Sequence, residues 1–352
     1  MWQPQPPAII RGTLDQRDER PRSSYRHVDP NDEFESYVEI NEHGFHDQQH
    51  AWRPAPGVFR VVVVGDSYAE ALQVSIENTW WSEIGRQLEA RLGRPVEMIN
   101  LGQSSTGTAE QLEIFDIYGA PAHPDLVLLA FCVANDPFNN SFQLEDKSAG
   151  RVPFYRLGSN EELVPISDAQ LEARRAAVWW PLWRASDTAR LVGRYFERRR
   201  AGFRMTQEHG YPVLFQVFLA DPPAVWNEAM RISVRLIQEL QDRSERLGAD
   251  FAVALVPDAV QVYPHDWDHR VKRFPKMETQ VWDTEAPTRH LREALREASI
   301  PTIDPLEHFK AHAEDEDRLF FREDIHFTAH GNELFGAYVG GQLVDLGVVE
   351  AP

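Results

Sequence analysis

The sequence predicts an α/β fold: a doubly wound parallel sheet of about five strands, helices on both faces, and a large insertion after the third strand. Three observations carry this. Phe59-Arg60-Val61-Val62-Val63-Val64-Gly65 holds four consecutive valines, the pattern of a strand buried on both faces. Further short hydrophobic strands alternate with segments of helical spacing, a β-α-β-α-β rhythm. From residue 136 to about 210 that rhythm breaks, over a length no simple connection needs.

Residues 1 to about 36 are polar, proline-containing and aperiodic, and read as an extended arm. Tyr37-Val38-Glu39-Ile40-Asn41 alternates as a short strand and turns at Glu42-His43-Gly44, so residues 1–58 form an arm and lead-in strand. The Val61–Val64 strand follows. Trp81, Ile84, Leu88 and Leu92 then fall at helical spacing, with Gly93 as the stop. Pro95–Ile99 is the second strand, a helix runs from about Thr108 to Tyr118, and Asp125–Phe131 is the third strand. The insertion carries Trp179, Trp180 and Trp183, which either pin it to the sheet or wall a substrate cleft, and Arg198-Arg199-Arg200, a solvated helix end. Val213–Phe218 reads as a short strand inside it. The rhythm resumes with a helix from about Ala224 to Leu247 and a strand at Phe251–Val256. A charged, Asp- and His-rich loop comes next, then a helix from Thr288 to Ala298, a strand at Ile300–Ile303 and a last helix from Thr328 to Leu346. Residues 59–350 are thus one α/β domain interrupted by an insertion or lid at about 136–210.

Composition narrows the function. The 36 basic and 55 acidic residues leave a formal charge of −19, which repels nucleic acid and anionic membrane surfaces. The single cysteine, Cys132, permits no intrachain disulfide and no cysteine-based zinc site. No apolar run approaches the ~20 residues of a membrane helix. The first residues lack the basic-then-apolar pattern of a signal peptide. A chain trimmed of an export or anchor segment belongs in the periplasm or outside the cell, and otherwise in the cytoplasm. His43, His46 and His50, and the pair His308 and His312, have a metal-like look but no third ligand at a defined spacing, so no metal is expected.

Four residues stand at strand ends or just before a helix: Ser67, Gly102, Asn135 and His326. A doubly wound sheet gathers the carboxyl ends of its strands around one crevice. A serine there needs a base to take its proton, which imidazole supplies near neutral pH, and a carboxylate to orient the imidazole. The oxyanion formed on attack needs fixed donors, and the N–H groups of Ser67 and Gly102 with the Asn135 side-chain amide supply three.

In this order the residues resemble the SGNH hydrolases, also called GDSL-type esterases. Gly65-Asp66-Ser67 corresponds to the nucleophile block, Gly102 to the glycine block, Asn135 to the asparagine block and His326 to the histidine block. Glu39-Ile40-Asn41-Glu42-His43-Gly44-Phe45-His46-Asp47 resembles the lead-in of many bacterial members. The resemblance implies a flavodoxin-like sheet with a shallow, exposed site, and spans residues 59–346 apart from the insertion. Two positions depart from the pattern. Val133 stands where the asparagine block usually has glycine. The commonest spacing, Asp-x-x-His, puts Glu323 in the acid's place, whereas an Asp-x-His variant selects Asp324; Asp324, a carboxylate of the usual type, is preferred.

The expected activity is ester hydrolysis through an acyl-enzyme, without metal or organic cofactor, on a small acyl ester of a carbohydrate or a short-chain ester. Transfer of the acyl group to a polysaccharide uses the same residues. A non-catalytic glycan-binding scaffold is the alternative from another class, and an intact serine, histidine and asparagine argue against it. The partner in each case is a small-molecule or glycan ester.

Overall fold

The computed structural model describes residues 22–145, 153–167, 169–170 and 209–349. Ser23–Val28 (β1) and Glu35–Ile40 (β2) pair antiparallel, with Ser23 opposite Ile40 and Val28 opposite Glu35. The expected arm therefore contains a strand. Its two-residue period was hidden because the inward positions are Ser23, Tyr25 and His27, half-buried and polar or aromatic.

Phe59–Gly65 (β3) follows, then a single turn of helix at Ser67–Glu70 (α1) and Trp80–Leu92 (α2). Thr79 starts α2 by accepting the Ser82 N–H, and Gly93 ends it in the left-handed conformation. Val96–Asn100 (β4), Thr108–Ile114 (α3), Leu126–Cys132 (β5) and Asp136–Asn140 (α4) come next. The described part of the insertion contains α4 at its start and a small hairpin, Tyr155–Leu157 (β6) against Leu163–Pro165 (β7). Trp179, Trp180, Trp183 and Arg198–Arg200 lie outside the described residues.

Ala224–Arg246 (α5), Asp250–Val256 (β8), Ala259–Val262 (α6), Pro264–Arg273 (α7), Ala286–Glu297 (α8), Thr302–Ile303 (β9), Leu306–Ala311 (α9) and Ala329–Asp345 (α10) complete the strands and α-helices of the described residues.

Three local expectations need correcting. Val213–Phe218 is a 3-10 helix, burying Val213, Gln216, Val217 and Phe218 at three-and-four spacing, not in alternation. The charged stretch after β8 is largely helical, because Asp258 caps α6 and Pro264 occupies the first turn of α7, where its missing N–H costs nothing. And β9 starts at Thr302, since Pro301 has no N–H for the ladder, although its carbonyl still accepts the Val253 N–H at 2.9 Å.

The five long-range strands form one sheet in the order β4-β3-β5-β8-β9, and every pairing is parallel. Alternate valines of β3 face opposite layers. Val61 and Val63 join Trp80, Trp81, Ile84 and Leu88 of α2 and Phe335 and Val339 of α10. Val62 and Val64 join Leu112 of α3, Leu236 and Leu240 of α5 and Leu291 of α8. Helices thus cover both faces. This is the flavodoxin-like order, whose topological switch falls between β3 and β5, so the crevice opens where Ser67 leaves one strand and Asn135 the other.

Candidate active site

Gly65 ends β3 without a side chain, because a Cβ there would meet that of Ala69 at 2.8 Å. Asp66 is fully buried and caps α1, accepting the Tyr68 N–H at 3.0 Å on one oxygen and the Asn135 amide Nδ2–H at 2.9 Å on the other. Burial pushes the Asp66 carboxyl up; its hydrogen bonds from Asn135 and Tyr68 oppose this. Ser67 is the first residue of α1, a position where a backbone N–H has no intrahelical acceptor.

His326 arrives from the other end of the chain on a tight excursion. An isolated bridge between Phe320 and Phe327 closes its base, with Phe321 N–H donating to His326 O at 2.9 Å. Inside it, Ile325 has a φ of +69°, a left-handed conformation rare for a β-branched residue. The Ser67 Oγ–H donates to His326 Nε2 at 2.8 Å, and His326 Nδ1–H donates to Asp324 Oδ1 at 2.7 Å. Of the two carboxylates left open by the sequence, Asp324 is the one that reaches the imidazole; the Glu323 side chain is exposed. Burial alone would raise Asp324, but the hydrogen bond and charge of His326 outweigh it and hold the carboxyl below its usual range. Tyr68 braces the imidazole, its ring centroid 4.8 Å from that of His326 and its hydroxyl donating to Ile325 O at 2.9 Å.

The three expected oxyanion donors fare differently. Asn135 stands beside Ser67 through Asp66, and its Nδ2 carries a second hydrogen beyond the one given to Asp66. Val133 in place of glycine is accommodated because the turn needs no left-handed residue there; Val133 is buried among apolar side chains. Gly102 departs from expectation. Its N–H donates to Asn100 Oδ1 at 3.0 Å, an Asx turn that engages the donor locally. What Gly102 supplies is closeness: a Cβ would lie 2.4 Å from the Ala69 carbonyl carbon and 2.4 Å from the Glu70 nitrogen, both backbone of α1. Gly102→Ala is therefore expected to displace the helix that carries Ser67. Overpacking of this kind costs about 1–3 kcal/mol, read as a Tm fall of about 2–4 °C per kcal/mol, together with loss of Ser67 reactivity. A variant that melts and reacts as the parent does would refute this account.

The lead-in fixes the same region from behind. Asp47 Oδ2 accepts the Asn100 N–H at 2.9 Å, and the His46 carbonyl accepts the Asn100 side-chain amide at 3.1 Å. His50 bridges Asp47 and Glu97, at 3.0 and 2.8 Å, and His46 Nδ1 meets Glu70 O at 2.8 Å. These histidines knit the lead-in to the sheet, and His308 stacks on Tyr338. No group of three potential metal ligands occurs among the described residues, and no helix among them is long and apolar enough to cross a membrane.

Three contributors were not read from the sequence: the Asp66 bond to Asn135, the Tyr68 hydroxyl, and Glu33, whose carboxylate accepts the N–H groups of Arg322, Glu323 and Asp324. Asp66 and Tyr68 flank Ser67 and carried a signal by adjacency; Glu33 carried none.

Residues 218–348 match the family described as SGNH hydrolase-like domain, acetyltransferase AlgX. The match covers less than half of the chain and includes Asp324 and His326 but not Ser67. Among solved structures, similarity extends to the lipase/acylhydrolase from Enterococcus faecalis, at 15% identity over 81% of this chain and 95% of that one, TM-score 0.39. Axe2, an acetylxylan esterase from Geobacillus stearothermophilus, is 10% identical over 84% of this chain and 97% of its own, TM-score 0.42. A protein of the G-D-S-L family from Desulfitobacterium hafniense is 13% identical over 81% of this chain and 99% of its own, TM-score 0.38. Curated proteins yield no sequence match.

Proposed function

We propose that this chain, whose fold is SGNH hydrolase-like, is a serine O-acyltransferase that moves a small acyl group, acetyl first, onto a carbohydrate hydroxyl through an acylated Ser67. The observation that carries the reading is the continuous chain Ser67 Oγ–His326 Nε2, His326 Nδ1–Asp324 Oδ1, at 2.8 and 2.7 Å. The acetyltransferase description of the matching family favours transfer over hydrolysis.

In this mechanism Ser67 attacks the ester carbonyl while Nε2 takes the hydroxyl proton. Asp324, anionic, stabilises the imidazolium and keeps the Nδ1 proton on its own side. Charge developing on the carbonyl oxygen meets the Ser67 N–H and the second Asn135 amide hydrogen, oriented by buried Asp66. Nε2 then protonates the departing alcohol, leaving acyl-Ser67. An acceptor hydroxyl enters, gives its proton to Nε2 and attacks the acyl carbon; Ser67 leaves with its proton restored. Water in the acceptor's place gives hydrolysis, and the partial exposure of Ser67 and His326 allows it access. Hydrolysis is thus the second reading of one acyl-enzyme.

Intact-mass analysis of quenched p-nitrophenyl acetate reactions, with and without acetyl-free oligosaccharide, separates these readings. Acetyl on Ser67, passing to sugar as acceptor concentration rises, is the expected result. Free acetate alone at saturating acceptor would make the chain an esterase; absence of acylated Ser67 would remove both readings.

A further inference from the structure

The excursion that carries the acid and the base holds its shape only in part by its own hydrogen bonds. Its base is closed by Phe320 and Phe327, and by Thr328 N–H donating to Leu319 O at 3.0 Å. Between those anchors Phe321 N–H donates to His326 O at 2.9 Å and His326 N–H to Asp324 Oδ1 at 3.4 Å, while the N–H groups of residues 322–324 find their acceptor elsewhere. Arg322 N–H donates to Glu33 Oε1 at 2.7 Å, while Glu323 and Asp324 N–H groups donate to Glu33 Oε2 at 2.9 and 3.0 Å. Three successive N–H groups converging on one anion form a nest, and hydrogen bonds to a charged acceptor are the strong kind. On the opposite side the Tyr68 hydroxyl holds the Ile325 carbonyl at 2.9 Å. The left-handed Ile325 between these two grips is a conformation that persists only where its surroundings over-determine it.

Glu33 is itself held. It lies in the turn between β1 and β2, where Asp29 Oδ2 accepts the N–H groups of Asn31 at 2.7 Å and Glu33 at 3.3 Å. Phe34 then packs on Phe321, ring centroids 5.1 Å apart, and His27 stacks on Phe34. The hairpin, almost 300 residues from His326 in sequence, thus meets the excursion through its N–H groups and through the Phe34–Phe321 contact.

We propose that Glu33 is a positioning residue: by binding the N–H groups of residues 322–324 it fixes the Asp324–Ile325–His326 turn so that the imidazole faces Ser67. The inference rests on the acyl-Ser67 reading above and adds to it the purpose of the N-terminal hairpin. Displacement of the turn misaligns Nε2 without touching the substrate, so kcat falls and KM does not.

The test uses the full chain with Glu33→Ala, Glu33→Gln and, as a control at the exposed ion pair between Arg26 of β1 and Glu35 of β2, Glu35→Gln. Turnover of p-nitrophenyl acetate, the rate of Ser67 labelling by a fluorophosphonate and the low-field proton resonance of the Asp324–His326 hydrogen bond are measured. Glu33→Ala is expected to lose about 10²-fold in kcat and labelling rate at unchanged KM, with the low-field resonance broadened or gone. Glu33→Gln, which keeps an acceptor oxygen, is expected to recover part of both, and Glu35→Gln to behave as the parent. Parental kcat with an intact resonance in Glu33→Ala, or in Glu33→Gln should the alanine variant not fold, overturns the proposal. So does a lowered Tm with no change in kcat, and so does failure of both variants to fold, since each makes Glu33 a structural residue. A parent chain that the probe does not label, or undiminished turnover in Ser67→Ala, instead removes the acyl-Ser67 reading.

Discussion

Ser67→Ala is expected to lose acyl-enzyme formation and to cut turnover of p-nitrophenyl acetate by about 10⁶-fold, the scale on which a triad fails when its nucleophile is deleted. The size follows from the residue's position at the head of the proton path: among the described residues, the hydroxyl hydrogen-bonded to Nε2 is that of Ser67. What survives is whatever the Ser67 N–H and the Asn135 amide give to a direct attack by water. The fold is expected to remain, because Ser67 is only partly buried, its side chain is hydrogen-bonded to His326, and α1 is capped by Asp66, not by Ser67. Such a loss changes stability by about 1 kcal/mol or less. Circular dichroism and thermal melting check the fold, and quenched intact mass checks the acyl group. Turnover close to the parent's in a folded Ser67→Ala would sink the mechanism.

Asp324→Asn has the second largest expected effect, a fall of about 10⁴ in kcat, the cost of losing the correct imidazole tautomer in a triad. An asparagine amide facing Nδ1 donates where the carboxylate accepts, which favours the Nδ1-acceptor tautomer and leaves Nε2 protonated and unable to receive the Ser67 proton. Glu323→Gln serves as the comparison and is expected to change kcat little, since its side chain is exposed and only its backbone N–H is engaged, with Glu33. Equal, small effects of both would mean that the imidazole is oriented by another acceptor. The pH behaviour has a definite sign. The folded Asp324 carboxyl is depressed below its unfolded value of about 3.9, so its contribution to stability is full above that value and is lost as pH falls through the folded one. The charge that holds the imidazole is therefore in place throughout the neutral and mildly acidic range.

The sheet was legible in the sequence because β3, β5 and β8 are buried on both faces and carry uninterrupted apolar runs. Local chemistry also told where Ser67 and His326 stand, since strand ends and helix starts have their own residue preferences. What stayed illegible is contact at long separation. Tyr68 meets Ile325 across 257 positions and Glu33 meets Asp324 across 291, and nothing near either residue announces its partner. Gly102 is a different case. Asn100 two residues before it is the signature of an Asx turn, so the capture of its N–H was written locally and was outweighed by the family pattern. Val213–Phe218 failed for a third reason: a short apolar run does not distinguish alternation from helical spacing until its buried positions are known.

Arg60 gives the lead-in a meaning for protein engineering. Its guanidinium is fully buried in β3, where Nη1 donates to the Trp52 carbonyl at 3.1 Å and Nη2 to the Ala51 carbonyl at 2.9 Å, with Glu97 as counter-ion at 2.6 Å. A gene fragment begun at residue 59 would encode every strand of the parallel sheet and still strip the Arg60 guanidinium of two carbonyl acceptors and of the chain that covers it. Hydrogen bonds to a charged group contribute about 1.5–3 kcal/mol each, so losing two is a substantial cost even though Glu97 and the Ala122 carbonyl stay in place. The smallest unit worth expressing therefore keeps Ala51 and Trp52 for Arg60 and, for the Glu33 contacts, the β1–β2 hairpin as well, so a tag, fusion or permutation joint belongs before Arg22, not at the apparent seam near residue 58.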